Sequence, residues 1–214
     1  MNKITRILTI RHGQTVYNLE KRYAGSIDIP LNEKGIEDAE YAAFKLKNYD
    51  FDIVVTSNLK RAIRTAELLI AKRKIPIIHN KLCDERNYGK MQGLNFIEVE
   101  EIKPRILYLK LNNDFHSLNP PHGETFPALR RRANLFSQFI FQNYSGYSIL
   151  VVSSSAFMQQ LHGIFRGTNY LESLRNEIHN LECTTFTFNG RKLIEEMTLS
   201  LQRNSSASYY NKFL

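Results

Sequence analysis

Arg11-His12-Gly13-Gln14-Thr15 sets a fixed cation, an imidazole and a glycine in succession, directly after the apolar run of residues 4–10. An Arg beside a His suits work on an oxyanion: the guanidinium clamps it in a fork while a neutral imidazole attacks. An imidazole is largely neutral at pH 7 unless strongly perturbed. Gly13 is expected to let the backbone turn tightly and to leave room for a ligand beside the ring. Alone, the tripeptide is a weak signal and reads more readily as an ordinary structural histidine. Two further stretches follow it, Thr56-Ser57-Asn58-Leu59-Lys60-Arg61-Ala62-Ile63-Arg64-Thr65-Ala66 and Asp84-Glu85-Arg86-Asn87-Tyr88-Gly89-Lys90-Met91-Gln92-Gly93. Each residue in them also has a plain reading. Arg61 could pair with Glu67 or Asp52 on the surface, Arg64 could decorate an exposed helix face near Lys60, and Glu85 could sit in a solvated turn.

These residues need elements to hold them, and the hydrophobic pattern supplies them. Residues 4–10 read as a buried strand, and ligands of open α/β sheets collect at the carboxyl ends of strands. A polar segment, 17–28, follows, with a turn at Gly25-Ser26. Asn32 caps a helix in which Ile36, Ala39, Ala43 and Leu46 face inward while Asp38, Lys45 and Lys47 face away. Residues 51–55 form a second strand, 59–72 a helix with Leu59, Ile63, Ala66, Leu69 and Ile70 inward, and 75–78 a third strand. This alternation predicts a three-layer α/β sandwich. Beyond Gly93 the pattern weakens: a short helix at 96–101, helix or strand at 106–111, and loop at 112–121. The longest helix is expected at 126–143, with Leu129, Ala133, Phe136 and Ile140 buried. A strand at 148–153, a helix at 157–165 and a hairpin of 183–188 with 193–199 around Asn189-Gly190 complete the chain.

At 214 residues, 43% hydrophobic and 23% charged, the sequence fits one globular domain, residues 1–201, with a mobile Ser/Asn-rich tail at 202–214 in which Tyr209, Tyr210 and Phe213 could dock. A net charge of +8 favours anionic partners. The basic residues are scattered apart from the short run Arg130-Arg131-Arg132, and no aromatic-basic interleaving suggests nucleic acid. Two cysteines, Cys83 and Cys183, show neither pairing nor metal spacing. The strand begins by residue 4 and no apolar run approaches membrane-spanning length, so a cytoplasmic location without membrane contact is expected.

In order and spacing, the three polar stretches resemble the histidine phosphatase superfamily, the phosphoglycerate-mutase-like proteins, from about Arg6 to about Leu201. The resemblance implies an α/β/α sandwich with a central, mostly parallel sheet. It also implies phosphoryl transfer with no cofactor and no metal, which calls for a nucleophile, donors around three oxygens and an acid for the leaving alcohol. His12 would be the nucleophile, forming a phosphohistidine; Arg11 and Arg61 would hold the phosphate, with Asn18 adding a neutral donor. Glu85 would protonate the leaving group and then activate water, within the family's Asn-Glu-Arg-x-x-Gly pattern; Asp84 replaces the usual Asn. Gly25, Ser26, Ser155 and His122 are candidate substrate contacts.

One motif departs from the family. Val151-Val152-Ser153-Ser154-Ser155 stands where relatives carry Ser-His-Gly, so Ser154 occupies the position of the second histidine and Ser155 that of the glycine. A serine hydroxyl can donate one hydrogen bond but is never cationic. Losing one preorganised donor at an oxyanion typically costs about 10²–10³ in rate. His162, eight helical residues on, lies roughly 12 Å further along the axis and is a poor substitute. The expectation is a phosphatase of small phosphorylated metabolites, weakened at Ser154. The alternatives are a pseudoenzyme that binds a phosphorylated ligand and, because the segment from Gln92 to Gly123 is short, less readily a mutase. The oligomeric state is not specified.

Overall fold

The computed structural model describes residues 3–112, 114–203 and 210–211. In chain order the elements are β1 (Ile4–Arg11), α1 (Val16–Leu19), α2 (Glu33–Lys45), β2 (Ile53–Thr56), α3 (Lys60–Ile70), β3 (Ile77–His79), α4 (Phe96–Val99), β4 (Tyr108–Leu111) and β5 (Asp114–Ser117). They continue with α5 (Phe126–Asn143), β6 (Ser148–Ser153), α6 (Ser155–Arg166), α7 (Tyr170–Ser173), β7 (Glu182–Asn189), β8 (Lys192–Ser200) and β9 (Tyr210–Asn211).

The apolar run of β6 buries Ile149, Leu150, Val151 and Val152 completely. A strand apolar on both faces belongs in the middle of a covered sheet. The sheet order is β3-β2-β6-β1-β7-β8-β9. The first four strands are parallel, and β7 to β9 extend the sheet antiparallel. Side chains alternate between the two faces. Leu8, Ile10, Leu150 and Val152 pack on Ala39, Ala42, Ala62 and Ala66 of α2 and α3. Ile7, Ile149 and Val151 pack on Leu129, Phe136, Phe157 and Leu161 of α5 and α6. Phe136 and Phe157 meet edge to face at 5.3 Å. Full burial of such a side chain contributes about 1.5–3 kcal/mol. This is the α/β/α sandwich, and the α5 stripe lies as the spacing predicts.

The parallel register aligns Arg11 with Ser153 and Thr56 with Val152, so three strand ends open on one edge of the sheet. His12 N–H continues the ladder to the Ser153 carbonyl at 3.0 Å.

Several local expectations are corrected. Residues 112–121 are not all loop: β5 pairs antiparallel with β4. Its polar sequence hides a strand whose partner β4 sets Tyr108 on a separate small core of Met91, Val99 and Ile106. Asp38 does not face away. It is buried and paired with Lys34 at 2.9 Å. Ile36, Ala43 and Ile63 are only half-buried. Gly13 answers to packing: a Cβ there would stand 2.6 Å from the Gly35 carbonyl of α2. Of the expected tail, 204–209 and 212–214, including Tyr209 and Phe213, lie outside the described residues, while Tyr210–Asn211 pairs with β8. No helix among the described residues is long and apolar enough to cross a membrane.

Candidate active site

His12 leaves β1 almost fully buried, 3% exposed, between α2 and α3. Its Nδ1 lies 2.7 Å from the Gly13 carbonyl, and its Nε2 lies 3.2 Å from Arg61 Nε. A carbonyl only accepts and a guanidinium only donates. The ring is therefore the tautomer with its proton on Nδ1, leaving the Nε2 lone pair facing Arg61. Burial first, then the charges of Arg61 and Arg11, hold the imidazole well below its ordinary value of 6.5, so it is neutral near pH 7.

The turn around it is bolted from both helices. Gly13 N–H donates to the Thr65 hydroxyl, which donates to the Arg61 carbonyl. Asn32, the α2 cap, donates its N–H to the Gln14 carbonyl and its amide to Gln14 Oε1. Arg61, 1% exposed, is on the inward face of α3 and pairs with neither Glu67 nor Asp52. Its Nη1 donates to the Ile27 carbonyl at 2.8 Å and its Nη2 to the Gly25 carbonyl at 2.7 Å. Three of five guanidinium donors are thus committed, leaving two for an anion. Arg64 takes the plain role, bonding Glu67 on the exposed face.

Arg11 donates from Nη1 to the Ile178 carbonyl at 2.6 Å, and its buried Nε has no partner. Asn18 Oδ1 accepts from the Thr15 N–H and hydroxyl, which caps α1 and leaves the Asn18 amide N–H groups without a partner among the described residues. Asn180 binds the His12 carbonyl at 2.8 Å and Asn18 Oδ1 at 3.4 Å, a link nothing in the sequence pattern announces.

At the end of β6, Ser154 is the N-cap of α6 but makes no capping bond. Its hydroxyl is buried and unpartnered. The cap comes instead from Glu85: its carboxylate accepts from Ala156 N–H at 3.4 Å, Phe157 N–H at 3.2 Å and Arg86 N–H at 2.7 Å. Glu85 is no solvated turn residue. Ser155 donates to the Ile178 carbonyl at 3.4 Å, the same oxygen that holds Arg11. Arg132 grips the motif from behind, bonding the carbonyls of Leu82, Asp84 and Glu85 and the Glu124 carboxylate. Arg130 bonds the carbonyls of Gln160 and Thr168. The basic run thus works partly as internal staples, which its spacing along one helix does not reveal.

The remaining candidates are more peripheral. Ser26 gives its N–H and hydroxyl to Gln92 Oε1, closing the loop beside Gly25. His122 is exposed, in a loop held against Gly89, and bonds none of the other candidates among the described residues. His162 is buried elsewhere, bonded to the Thr9 hydroxyl at 2.7 Å and stacked edge-on to Phe186. It lines a cavity of about 870 Å³ with Arg166, Thr184 and Glu196, a space that His12, Arg61 and Glu85 do not border. No group of three His, Cys, Asp or Glu among the described residues could hold a metal ion.

A neutral histidine between two arginines, at the carboxyl edge of a parallel sheet, belongs to the class of α/β proteins that handle phosphoryl groups. Residues 7–198 match the histidine phosphatase superfamily (branch 1), and the chain belongs to that family. It is similar to an uncharacterized phosphatase, PhoE, of Bacillus subtilis (32% identical over 158 residues, 74% of this chain and 76% of that one). It is also similar to a 2,3-bisphosphoglycerate-dependent phosphoglycerate mutase of Cytophaga hutchinsonii, 45% identical over 97 residues, 44% of this chain and only 46% of that mutase's length. Among solved structures, Bacillus stearothermophilus YhfR superposes with a TM-score of 0.77 at 26% identity, covering 88% of this chain and 94% of that one. The alpha-ribazole phosphatase of Shigella flexneri gives 0.77 at 23% identity, covering 88% and 93%. The family match places the chain in the histidine phosphatase superfamily, and the solved structures share its fold.

Proposed function

We propose that the chain hydrolyses phosphomonoesters of small metabolites through a phosphohistidine on His12. The observation that carries this reading is the imidazole itself: buried, neutral and with its Nε2 lone pair free of a proton. Nε2 attacks phosphorus and the bond from phosphorus to the ester oxygen breaks. Glu85, as general acid, gives the leaving oxygen a proton. Water then attacks the phosphohistidine, returns a proton to Glu85 and frees phosphate and His12. Arg11 Nε and the two uncommitted donors of Arg61 are available to the charge that moves. Asn18 contributes its free amide, and the Ser154 hydroxyl takes the place of a histidine as a weaker, uncharged donor. Gly25 serves through its carbonyl, by holding Arg61. Ser26, Ser155 and His122 are kept as contacts to the substrate at the rim.

A second reading, a ligand-binding protein with little turnover, is favoured by the state of Glu85, whose carboxylate is occupied by three N–H groups. The similarity to a mutase over less than half of that protein supports a phosphoglycerate-type transfer less well. The test is phosphate release from an aryl phosphate and a panel of phosphorylated metabolites, beside His12→Ala. Release that disappears in the variant supports the hydrolase; release that persists removes His12 as nucleophile. Binding of phosphate analogues without release in either protein favours the second reading.

A further inference from the structure

Resting on the phosphatase reading, we infer that the small cavity behind Glu85, between Arg86 and His116, is the subsite that takes a carboxylate carried by the substrate. The two halves of this subsite come from distant parts of the chain. Arg86 directly follows the proposed acid, and His116 lies on β5, the strand hidden in a polar segment. Ala156, whose N–H holds Glu85, also borders the cavity, as do Tyr23, Ser117 and Gln159. Ala156 and Arg86 thus tie the border of this space to the proposed acid.

The chemistry of the lining points to an anion. Arg86 is 0% exposed and joins no ion pair among the described residues. Its Nε donates to the Glu124 carbonyl at 2.7 Å and its Nη1 to the Ser117 hydroxyl at 3.4 Å, while Nη2 is buried with no partner. The guanidinium lies 3.8 Å from the Phe126 ring centre, which fixes its plane. His116 Nε2 is likewise buried without a partner, and the ring leans edge-on against Phe126 at 6.2 Å. Burial, opposed by Asp114 and aided by Arg86, pushes this histidine down toward its neutral form. A neutral ring still donates from Nε2 when its other nitrogen is bare.

Arg86 is the sole formally charged side chain among the residues that line the cavity. A buried cation and a second donor, both short of acceptors, are costly unless something fills them. The volume, about 40 Å³, matches a group of that kind.

The test uses matched esters that differ only in the carboxylate: phosphoglycolate against ethyl phosphate, and 3-phosphooxypropionate against propyl phosphate. Binding is measured by calorimetry on the His12→Ala protein, so that it stands apart from turnover. A carboxylate meeting a guanidinium and an imidazole should bind about 10–100-fold more tightly than its alkyl partner in at least one pair. His116→Ala on the same background should collapse that ratio about tenfold, and His116→Gln, which restores an N–H donor, should recover part of it. Equal affinities within both pairs, or a preference that His116→Ala leaves intact, would mean the cavity holds only water and would overturn the subsite. The hydrolase reading fails separately, if the wild-type protein releases no phosphate from any ester while the binding preference stands. Binding of neither member of either pair likewise overturns the subsite, and the hydrolase reading still stands or falls on phosphate release by the wild-type protein.

Discussion

The two strand ends that meet over the site differ in how completely they are finished. At the end of β1, His12 has a partner on each nitrogen, and Arg61 is held by two carbonyls and the imidazole. At the end of β6, the Ser154 hydroxyl is buried with no partner, and the helix behind it is capped by a carboxylate borrowed from Glu85. At the β1 end the nucleophile and Arg61 are held without a ligand and, of the buried polar atoms, only Arg11 Nε is left over; at the β6 end the hydroxyl itself has no partner. The difference teaches where the chemistry is rigidly specified and where the chain has given something up.

The comparison breaks most visibly at His12. His12→Ala should lower turnover by about 10⁴-fold or more and abolish transfer of labelled phosphate to the protein, as removal of a nucleophile does. Arg61→Ala should cost about 10²–10³ in kcat, since one anion donor and the orientation of Nε2 go together. It should also lower the melting temperature, because the Gly25 and Ile27 carbonyls lose their donor. Should Arg61→Ala prove kinetically silent, the finished end is merely structural. Ser154→His works in the opposite direction. It should raise kcat by up to about 10²-fold by supplying the missing donor. An unchanged kcat would mean that the β6 end does not touch the phosphoryl group.

The pH dependence separates the same two regions more gently. His12 and His162 are both held well below the ordinary imidazole value, burial being the first cause for each. A histidine depressed in the folded state is protonated preferentially in the unfolded one, so the unfolded chain binds more protons as the pH falls. Stability from both rings is complete above about pH 6.5 and is lost progressively below it, toward each depressed folded value. The acid limb of kcat/KM, set by His12 in the free enzyme, should lie below 6.5. Denaturation midpoints across that window check the first statement. His162→Gln should flatten the stability curve and leave the acid limb of activity where it is.

Much of this was legible in the sequence, for physical reasons that differ by element. The buried stripe of α5 could be read because a helix repeats its inward face locally. The placement of His12 just past β1, Arg61 at the start of α3 and Glu85 in the segment after β3 could be read because each follows a strand in the chain's alternation. The burial of Arg61 was open to another reading, since an arginine on a helix of mixed polarity looks like a surface residue until Gly25 and Ile27 fold over it. Residues 114–117 looked like loop because pairing with 108–111, rather than apolar alternation, makes them a strand. Asp38 likewise carries no local sign of its burial. The capping role of Glu85 arises from contact between residues 85 and 156–157, which no local pattern encodes.

The smallest effect gives the sharpest comparison, because its sign should reverse. Asn32 caps α2 through a 2.8 Å bond to Gly35 N–H, so Asn32→Ala should cost about 1 kcal/mol in denaturant unfolding. Ser154 holds the equivalent position on α6, yet its hydroxyl bonds nothing. Removing a buried hydroxyl that lacks a partner removes a desolvation cost rather than a bond. Ser154→Ala should therefore be neutral to about 1 kcal/mol stabilising in phosphate-free buffer. With vanadate or phosphate bound, the hydroxyl gains an acceptor, and the same substitution should weaken anion binding by roughly tenfold, about 1.4 kcal/mol. If Ser154→Ala destabilises the ligand-free protein as Asn32→Ala does, the hydroxyl is an ordinary cap and the unfinished end of β6 is finished after all. If it leaves anion affinity untouched, the serine has been dropped from the site rather than substituted into it.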